Sequence, residues 1–304
     1  MSRRRALVRR VWAMKVPSRV RFALQHPATA AAYLLTRDID LVQAAECEEL
    51  AQRRRRATGL PSELDDLVEY LGLPRPLVVR NVVRGGELLA ARWRRSDPQT
   101  PEEIGELHRH FWEYLYDLAH WNMTGKYQGL LALLRGERDG ACLSFGGGIG
   151  TEALQLAAQG NEVWYCDIAD SPVWKFAQWR AQRWGVPIHF ASEVPETEVF
   201  DAIVAFDVLE TLPGGEMERV VRRMATALRP GGRLYCNVTF AASDAYPTRS
   251  GQQRLWDSTF AELPLVRVNQ HTYVKQGGST AVAPDRTRAQ HPEDEKLASA
   301  GGVT

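Results

Sequence analysis

The pattern of apolar and polar positions changes near Gly140. Beyond that residue, short apolar runs of strand length alternate with longer stretches in which apolar side chains recur at helical spacing. Strands that alternate with helices are typical of βαβ units, which build a parallel sheet with helices on both faces. The right-handed crossover rule then favours a doubly wound α/β sheet. We predict strands over 141–145, 163–166, 188–190, 202–206 and 233–240, with a final hairpin of 265–268 and 272–275.

The part of the chain before Gly140 has helical patterns instead. Its best helix start is Thr100-Pro101-Glu102-Glu103, a capping box with proline at the first helical position. The aromatic-rich helix that follows is expected to run to about His120. The other predicted helices cover 38–56, 62–71, one continuous helix from the prolines at 74 and 76 through Trp93, and 127–135; the second half adds 151–159, 172–184, 217–228 and 255–263.

These patterns divide the chain into three parts. Residues 1–130 are expected to form a helical domain that packs on the second part. Residues 131–276 form the sheet domain with its ligand site. Residues 277–304 turn to glycine, serine, proline and charge, and we expect this tail to be disordered.

Composition excludes several classes of function. The 304 residues carry 38 Lys+Arg and 37 Asp+Glu, so the formal charge of +1 provides no overall field toward nucleic acid. The four cysteines form no C-x-x-C pair, and none of them has a histidine at metal-ligand spacing, so we expect no bound metal. So few cysteines, mostly in apolar runs, indicate a reducing, cytoplasmic setting. Residues 1–21 are rich in arginine, but no apolar core of a signal peptide or membrane span adjoins them.

The segment that carries candidate chemistry is Ser144-Phe145-Gly146-Gly147-Gly148-Ile149-Gly150, between a predicted strand and a predicted helix. Glycines let a ligand lie against bare backbone beside a helix N-terminus. The next strand ends in Asp167, a carboxylate suited to a ribose diol. A nicotinamide dinucleotide site and an S-adenosylmethionine (SAM) site both fit so far. The glycines at 146, 148 and 150 favour SAM, because dinucleotide sites read G-x-G-x-x-G.

At this point about residues 137–275 resemble the class I SAM-dependent methyltransferases. The family's E/D-x-G-x-G-x-G loop resembles residues 144–150, and its ribose acid resembles Asp167. Its fourth-strand block resembles residues 200–212, and its L-K-P-G-G turn resembles residues 228–232. The resemblance implies a Rossmann-like, mostly parallel seven-stranded sheet and SAM as the bound cofactor. It assigns cofactor contacts to Gly146, Gly148, Gly150, Asp167, Ile168, Glu193, Phe206, Asp207, Tyr127 and Lys126.

Three positions depart from the family pattern. Ser144 replaces the usual acid of the glycine loop, which in the family helps to organise the methionine end of SAM. Glu193 is displaced by one position from the acid that usually meets the adenine, and Thr211 stands where histidine is frequent. Two roles remain open for Asp207: it contacts a ligand at the sheet edge, or it is the N-cap of the following helix.

The segment 114–127 resembles the cap that closes over SAM in small-molecule enzymes of this family. Aromatic faces attract a sulfonium cation, and Lys126 could pair with the methionine carboxylate. His120 is the candidate general base, with Tyr116 as a second catalytic candidate. Trp121, Asn122 and Asp117 are the candidate substrate contacts. The alternative is that these side chains serve the domain interface and the helix caps.

The leading hypothesis is methyl transfer from SAM to a small molecule by in-line displacement. A second hypothesis follows from the departures at Ser144 and Thr211, and resembles azetidine-2-carboxylate synthases. In that reaction the SAM α-amine attacks its own γ-carbon and expels methylthioadenosine. A third class, a nucleic-acid-modifying or non-catalytic binding protein, is disfavoured by the neutral charge and by the absence of an N-P-P-Y-type motif after the fourth strand.

Overall fold

The computed structural model describes residues 39–195, 199–249 and 252–277. The arginine-rich segment 1–21 and, apart from Gly277, the predicted tail 277–304 lie outside the described residues.

A seven-stranded sheet forms the centre of the second half, in the order β3-β2-β1-β4-β5-β7-β6. The first five strands pair in parallel, and β7 runs antiparallel to both β5 and β6. The predicted doubly wound, mostly parallel sheet and its terminal hairpin are confirmed. The strands are β1 (Ala141–Phe145), β2 (Glu162–Cys166), β3 (His189–Ala191), β4 (Phe200–Phe206), β5 (Leu228–Asn237), β6 (Leu265–Asn269) and β7 (Thr272–Lys275).

Successive side chains of the central strands point to opposite faces of the sheet and so enter two separate apolar layers. Leu143 and Ile203 face one cluster with the helices Gly214–Ala227 and Gln253–Ala261. Cys142 and Val204 face another cluster with the helices Gly125–Leu133, Thr151–Ala158 and Pro172–Trp184. The near-continuous apolar sequence of β4 follows from this two-sided burial. The helices concerned are α7 (Gly125–Leu133), α8 (Thr151–Ala158), α9 (Pro172–Trp184), α10 (Gly214–Ala227) and α11 (Gln253–Ala261).

The first described part of the chain is helical, as the periodicity predicts. The helix Glu113–Met123 is central to it, because Leu115, Ala119 and Met123 are buried in a cluster. The cluster is built mainly from the helices Ile39–Thr58, Glu63–Leu71 and Arg75–Val83. The six helices are α1 (Ile39–Thr58), α2 (Glu63–Leu71), α3 (Arg75–Val83), α4 (Gly85–Ser96), α5 (Pro101–His110) and α6 (Glu113–Met123).

Two helices predicted as continuous are each broken in the structure. The helix predicted through Trp93 ends at Val83 and restarts at Gly85, where a β-carbon would lie 2.6 Å from the backbone of Asp117. The helix predicted from Thr100 to His120 keeps its capping box but breaks at Phe111. Phe111 takes an extended conformation and is fully buried against Trp93. Tertiary packing therefore decided both breaks.

Candidate active site

A cavity of about 970 Å³ opens at the carboxyl ends of β1, β2 and β4. Ligands bind at this edge in open α/β sheets. The volume lies near the upper end of small-molecule sites, roughly 300–1,000 Å³. Its walls come from the glycine loop 146–149, the segment 167–169 after β2, the segment 206–208 after β4, and the cap formed by α6 and α7.

Side chains from other parts of the protein pack directly against the backbone of the glycine loop, which leaves no room for β-carbons there. Gly146, Gly148 and Gly150 all have positive φ, at 60°, 51° and 78°. A β-carbon on Gly146 would lie 2.2 Å from Val208, and one on Gly148 would lie 3.0 Å from Leu118 of α6. Gly146 and Gly148 line the cavity, whereas Gly150 is the N-cap residue of α8 and packs toward Ala177.

Asp167 lies at the tip of β2, as the sequence predicts, and lines the cavity. Its Oδ2 accepts the Gly148 N–H at 2.8 Å and its Oδ1 accepts the Ile168 N–H at 2.7 Å. Burial raises the pKa of Asp167 to about 6, although these backbone donors act in the opposite direction. Each oxygen keeps a lone pair for a further donor such as a ribose hydroxyl.

A second buried carboxyl, Glu152 in the first turn of α8, also lines the cavity. Its Oε2 accepts the Tyr127 hydroxyl at 2.5 Å and its Oε1 accepts the Ser144 hydroxyl at 3.2 Å. Burial raises the pKa of Glu152 to about 7. Sequence reasoning missed this residue. The signal was available, because the acid missing at Ser144 invites a search for a nearby substitute.

Asp207 follows β4 and has a positive φ of 55°, unusual for a residue with a β-carbon. Its Oδ1 accepts the Asn237 amide at 2.6 Å. Its Oδ2 is buried and finds no hydrogen-bond partner among the described residues. Burial raises its pKa, while Arg249 is the main influence that lowers it. The short helix at Leu209–Thr211 has no side-chain cap, so the geometry favours the ligand-contact reading over the N-cap.

The cap brings most of its predicted residues to one wall. Asp117, His120 and Trp121 recur at helical spacing on α6 and line the cavity, as do Lys126 and Tyr127 of α7. The ammonium of Lys126 lies 5.0 Å from the centre of the Trp121 ring. Tyr116, one helical turn before His120, packs against the helical cluster and does not line the cavity.

Two other predicted residues have structural partners. Asn122 lines the cavity, but its amide donates to Thr151 Oγ1 at 3.0 Å. Glu193 lies at the cavity edge with an exposed side chain that pairs with Arg223 at 2.9 Å. Ile168 and Phe206 line the cavity as predicted.

The end of the cavity nearest α5 contains four residues that sequence reasoning did not select as site residues: His108, Tyr114, Tyr246 and Arg249. Tyr246 donates its hydroxyl to Asp117, and the Arg249 guanidinium lies 4.0 Å from the centre of the Tyr246 ring. Burial lowers the pKa of His108 to about 4 and raises the pKa of Tyr114 well above its ordinary value, so both side chains are uncharged at neutral pH. Tyr246 and Arg249 lie in an irregular segment after β5, where periodicity gives no signal.

The same end contains an acid–histidine pair. Burial raises the pKa of Asp117, partly offset by the Tyr246 hydroxyl and by the charge of His120. Burial lowers the pKa of His120, and the Asp117 carboxylate acts in the opposite direction. A neutral imidazole beside a carboxylate can accept a proton and hold the resulting charge.

A family model described as a methyltransferase domain matches residues 143–234. These residues form a methyltransferase domain, and the protein is a SAM-dependent transferase. No curated protein matches the sequence.

Among solved structures, the chain is similar to 1,6-didemethyltoxoflavin-N1-methyltransferase from Burkholderia thailandensis. The identity is 21%, covering 53% of this chain and 82% of that one, with a TM-score of 0.44. It is also similar to the N-methyltransferase NodS from Bradyrhizobium japonicum in complex with S-adenosylhomocysteine. There the identity is 23%, covering 50% of this chain and 86% of that one, with a TM-score of 0.40.

The residues of the cavity fit a bound SAM. Both carboxylate oxygens of Asp167 can accept from a ribose diol. The buried Asp207 Oδ2 accepts no hydrogen bond from the described residues and is available to a ligand donor. The rings of Trp121, Tyr127 and Phe206 provide faces that attract a cation. In the described residues no group of three or more His, Cys, Asp or Glu is placed to hold a metal ion. No helix in the described ranges is long and apolar enough to cross a bilayer.

Proposed function

We propose that this protein transfers the methyl group of SAM to a small-molecule acceptor. The observation that carries the proposal is the composition of one cavity. It joins the glycine loop and Asp167 to the acid–histidine pair Asp117 and His120. The cap supplies that pair, so the nucleoside half and the proton-accepting half of the site come from different elements.

The nucleoside half takes its specificity from β2 and the glycine loop. Asp167 accepts from the ribose hydroxyls, while its backbone partners Gly148 and Ile168 fix the direction of the carboxylate. Lys126 pairs with the carboxylate of the methionine end. When bound, SAM supplies a methyl group on a positively charged sulfur.

The acceptor half holds the nucleophile and takes its proton. His120 is neutral near pH 7 because burial lowers its pKa, so it can accept a proton from an N–H or O–H of the acceptor. Asp117 then stabilises the imidazolium, and Tyr246 orients Asp117. Positioning supplies the remainder of the rate enhancement. The cavity position of His120 makes it the general base in this proposal, and Tyr116 is left without such a role.

Calorimetric titration with S-adenosylhomocysteine tests the binding half of the proposal. We expect one site per chain, and an Asp167→Asn variant that binds at least tenfold more weakly. Asp170→Asn, an exposed aspartate in the loop after β2, is the matched control. Absence of binding by the wild-type protein would refute the proposal.

Incubation with SAM alone tests the reaction. Methyl transfer requires an acceptor, so SAM should persist until one is added. Release of methylthioadenosine from SAM alone would support the cyclase that the departures at Ser144 and Thr211 suggest. We further propose a cytoplasmic location, supported by four free, buried cysteines.

A further inference from the structure

We propose that Glu152 binds the α-ammonium group of the methionine end of SAM, in place of the acid that the glycine loop lacks at Ser144. The inference rests on the proposed SAM binding and deepens it. It also makes amine recognition depend on the cap, because the Tyr127 hydroxyl that holds Glu152 belongs to α7.

The first argument is the charge of the site. Glu152 is 3% exposed and lines the cavity. Its side-chain hydrogen bonds come from two hydroxyls, and no salt bridge joins it to a Lys, Arg or His in the described part of the chain. A buried carboxylate without a cation is costly. A ligand ammonium would supply the missing positive charge.

The second argument is the position of the carboxylate. The Ser144 hydroxyl donates to Glu152 Oε1, although the two residues are eight positions apart. The Glu152 carboxylate therefore lies next to the side chain at position 144, where the family has its acid. Placing the acid in the first turn of α8 also sets it where the helix dipole favours a negative charge. An ionised carboxylate accepts about four hydrogen bonds, so both oxygens remain able to accept from an ammonium.

The third argument is the fixed orientation of the side chain. Tyr127 is 4% exposed, and its hydroxyl donates to Glu152 Oε2. Thr124 caps the helix that carries Tyr127 by accepting that residue's N–H. Lys126, the neighbour of Tyr127, lines the same cavity. The first turn of α7 therefore orients the acid for the ammonium and supplies a cation for the carboxylate.

The test compares three ligands on two proteins by calorimetry. The ligands are S-adenosylhomocysteine, its analogue lacking only the α-amine, and methylthioadenosine, which lacks the whole amino-acid end. In the wild-type protein, loss of the amine should weaken binding roughly 10–100-fold, the size expected of a charge-assisted hydrogen bond. In Glu152→Gln that penalty should disappear, while methylthioadenosine binds within about twofold of wild type.

The exposed Glu162→Gln serves as the matched control and should retain the full amine preference. If Glu152→Gln does not fold, Tyr127→Phe is the second variant, and it should reduce the amine preference without changing methylthioadenosine affinity. If the wild-type protein binds S-adenosylhomocysteine and the analogue without the amine equally well, this inference is overturned but the proposed function is not. An amine preference that persists in Glu152→Gln also overturns the inference. A wild-type protein that binds none of the three ligands refutes the proposed function as well.

Discussion

At the residue scale, the site is a set of buried or half-buried ionisable groups with shifted pKa values. Burial raises the pKa of Asp117, Glu152, Asp167 and Asp207 and lowers that of His120. Such shifts cluster at functional sites because a ligand or a reaction offsets their cost. Asp167 and Asp207 could be selected from the sequence because each follows a strand. Glu152 follows no strand, so the serine in place of an acid at position 144 was its only signal in the sequence, and its contacts with Ser144 and Tyr127 form only in the folded chain.

His108 provides a pH test of this burial. Its pKa is about 4 in the folded protein against an ordinary value of 6.5, so the unfolded chain binds the proton more readily. The stability that neutral His108 contributes is present above pH 6.5 and is lost as pH falls toward 4, by up to about 3 kcal/mol.

His108→Asn should therefore show a flatter fall in the free energy of unfolding between pH 7 and 4.5 than the wild-type protein. Urea denaturation at several pH values measures the difference between the two slopes. Other titrating groups are common to both proteins and cancel in that difference. Equal slopes would contradict the burial of His108.

At the scale of elements, β1 to β4 and the final hairpin lie within two residues of their predicted bounds, whereas β5 spans Leu228–Asn237 and not the predicted 233–240. β1 has the predicted bounds, and the final hairpin differs by one residue at most. Short apolar runs bounded by turn residues mark such strands locally. The breaks at Arg84 and Phe111 depend instead on the crossing of α4 with α6 and on the burial of Phe111 against Trp93. Neither contact changes the spacing of apolar residues along the chain, so neither break could be predicted from that spacing.

Gly85 tests that helix crossing. Gly85→Ala would place a β-carbon 2.6 Å from the backbone of Asp117, so α6 must shift or the protein must unfold more easily. We expect a loss of roughly 1–3 kcal/mol, typical of overpacking, together with weaker binding at the cavity that α6 lines. Thermal and urea denaturation measure the first effect.

Gly129→Ala in α7 is the control for that substitution. A β-carbon there meets nothing within 4 Å, so the change should stabilise the helix by up to about 1 kcal/mol. If both substitutions behaved alike, the close crossing at Gly85 would be excluded.

At the scale of the whole molecule, a buried polar network joins the helical part to the glycine loop. Arg180 of α9 is fully buried and donates to Asp66 of α2 at 2.8 Å. The same guanidinium donates to the Ile149 carbonyl at 2.8 Å and to Thr151 Oγ1 at 3.0 Å. One side chain thus connects α2, the loop and the start of α8, which ties the packing of the two parts to the shape of the site.

Arg180→Met should be strongly destabilising because it leaves the Asp66 carboxylate buried without its cation. We expect a loss of about 3–5 kcal/mol, and partial recovery when Asp66→Asn is added. S-adenosylhomocysteine should also bind more weakly, because the Ile149 carbonyl loses its donor.

Arg183→Met is the matched control on the same helix. Arg183 pairs with Glu69 in an exposed bridge, which contributes at most about 1 kcal/mol. Urea denaturation of the four proteins gives the comparison. Equal stability of Arg180→Met and Arg183→Met would show that the buried network does not couple the two parts.

The sequence by itself determined the sheet, the glycine loop, Asp167 and the capping box at Thr100, because each depends on residues close together in the chain. Only the tertiary structure decided which cap residues reach the cavity. Tyr116 packs against the helical cluster, and Asn122 lines the cavity but donates its amide to Thr151. Glu152, His108 and Tyr246 join the cavity lining from other parts of the chain. These outcomes depend on how α6, α7 and the segment after β5 pack over the sheet. Contacts between residues more than a hundred positions apart, such as Asp117 with Tyr246, have no local pattern from which they could be predicted.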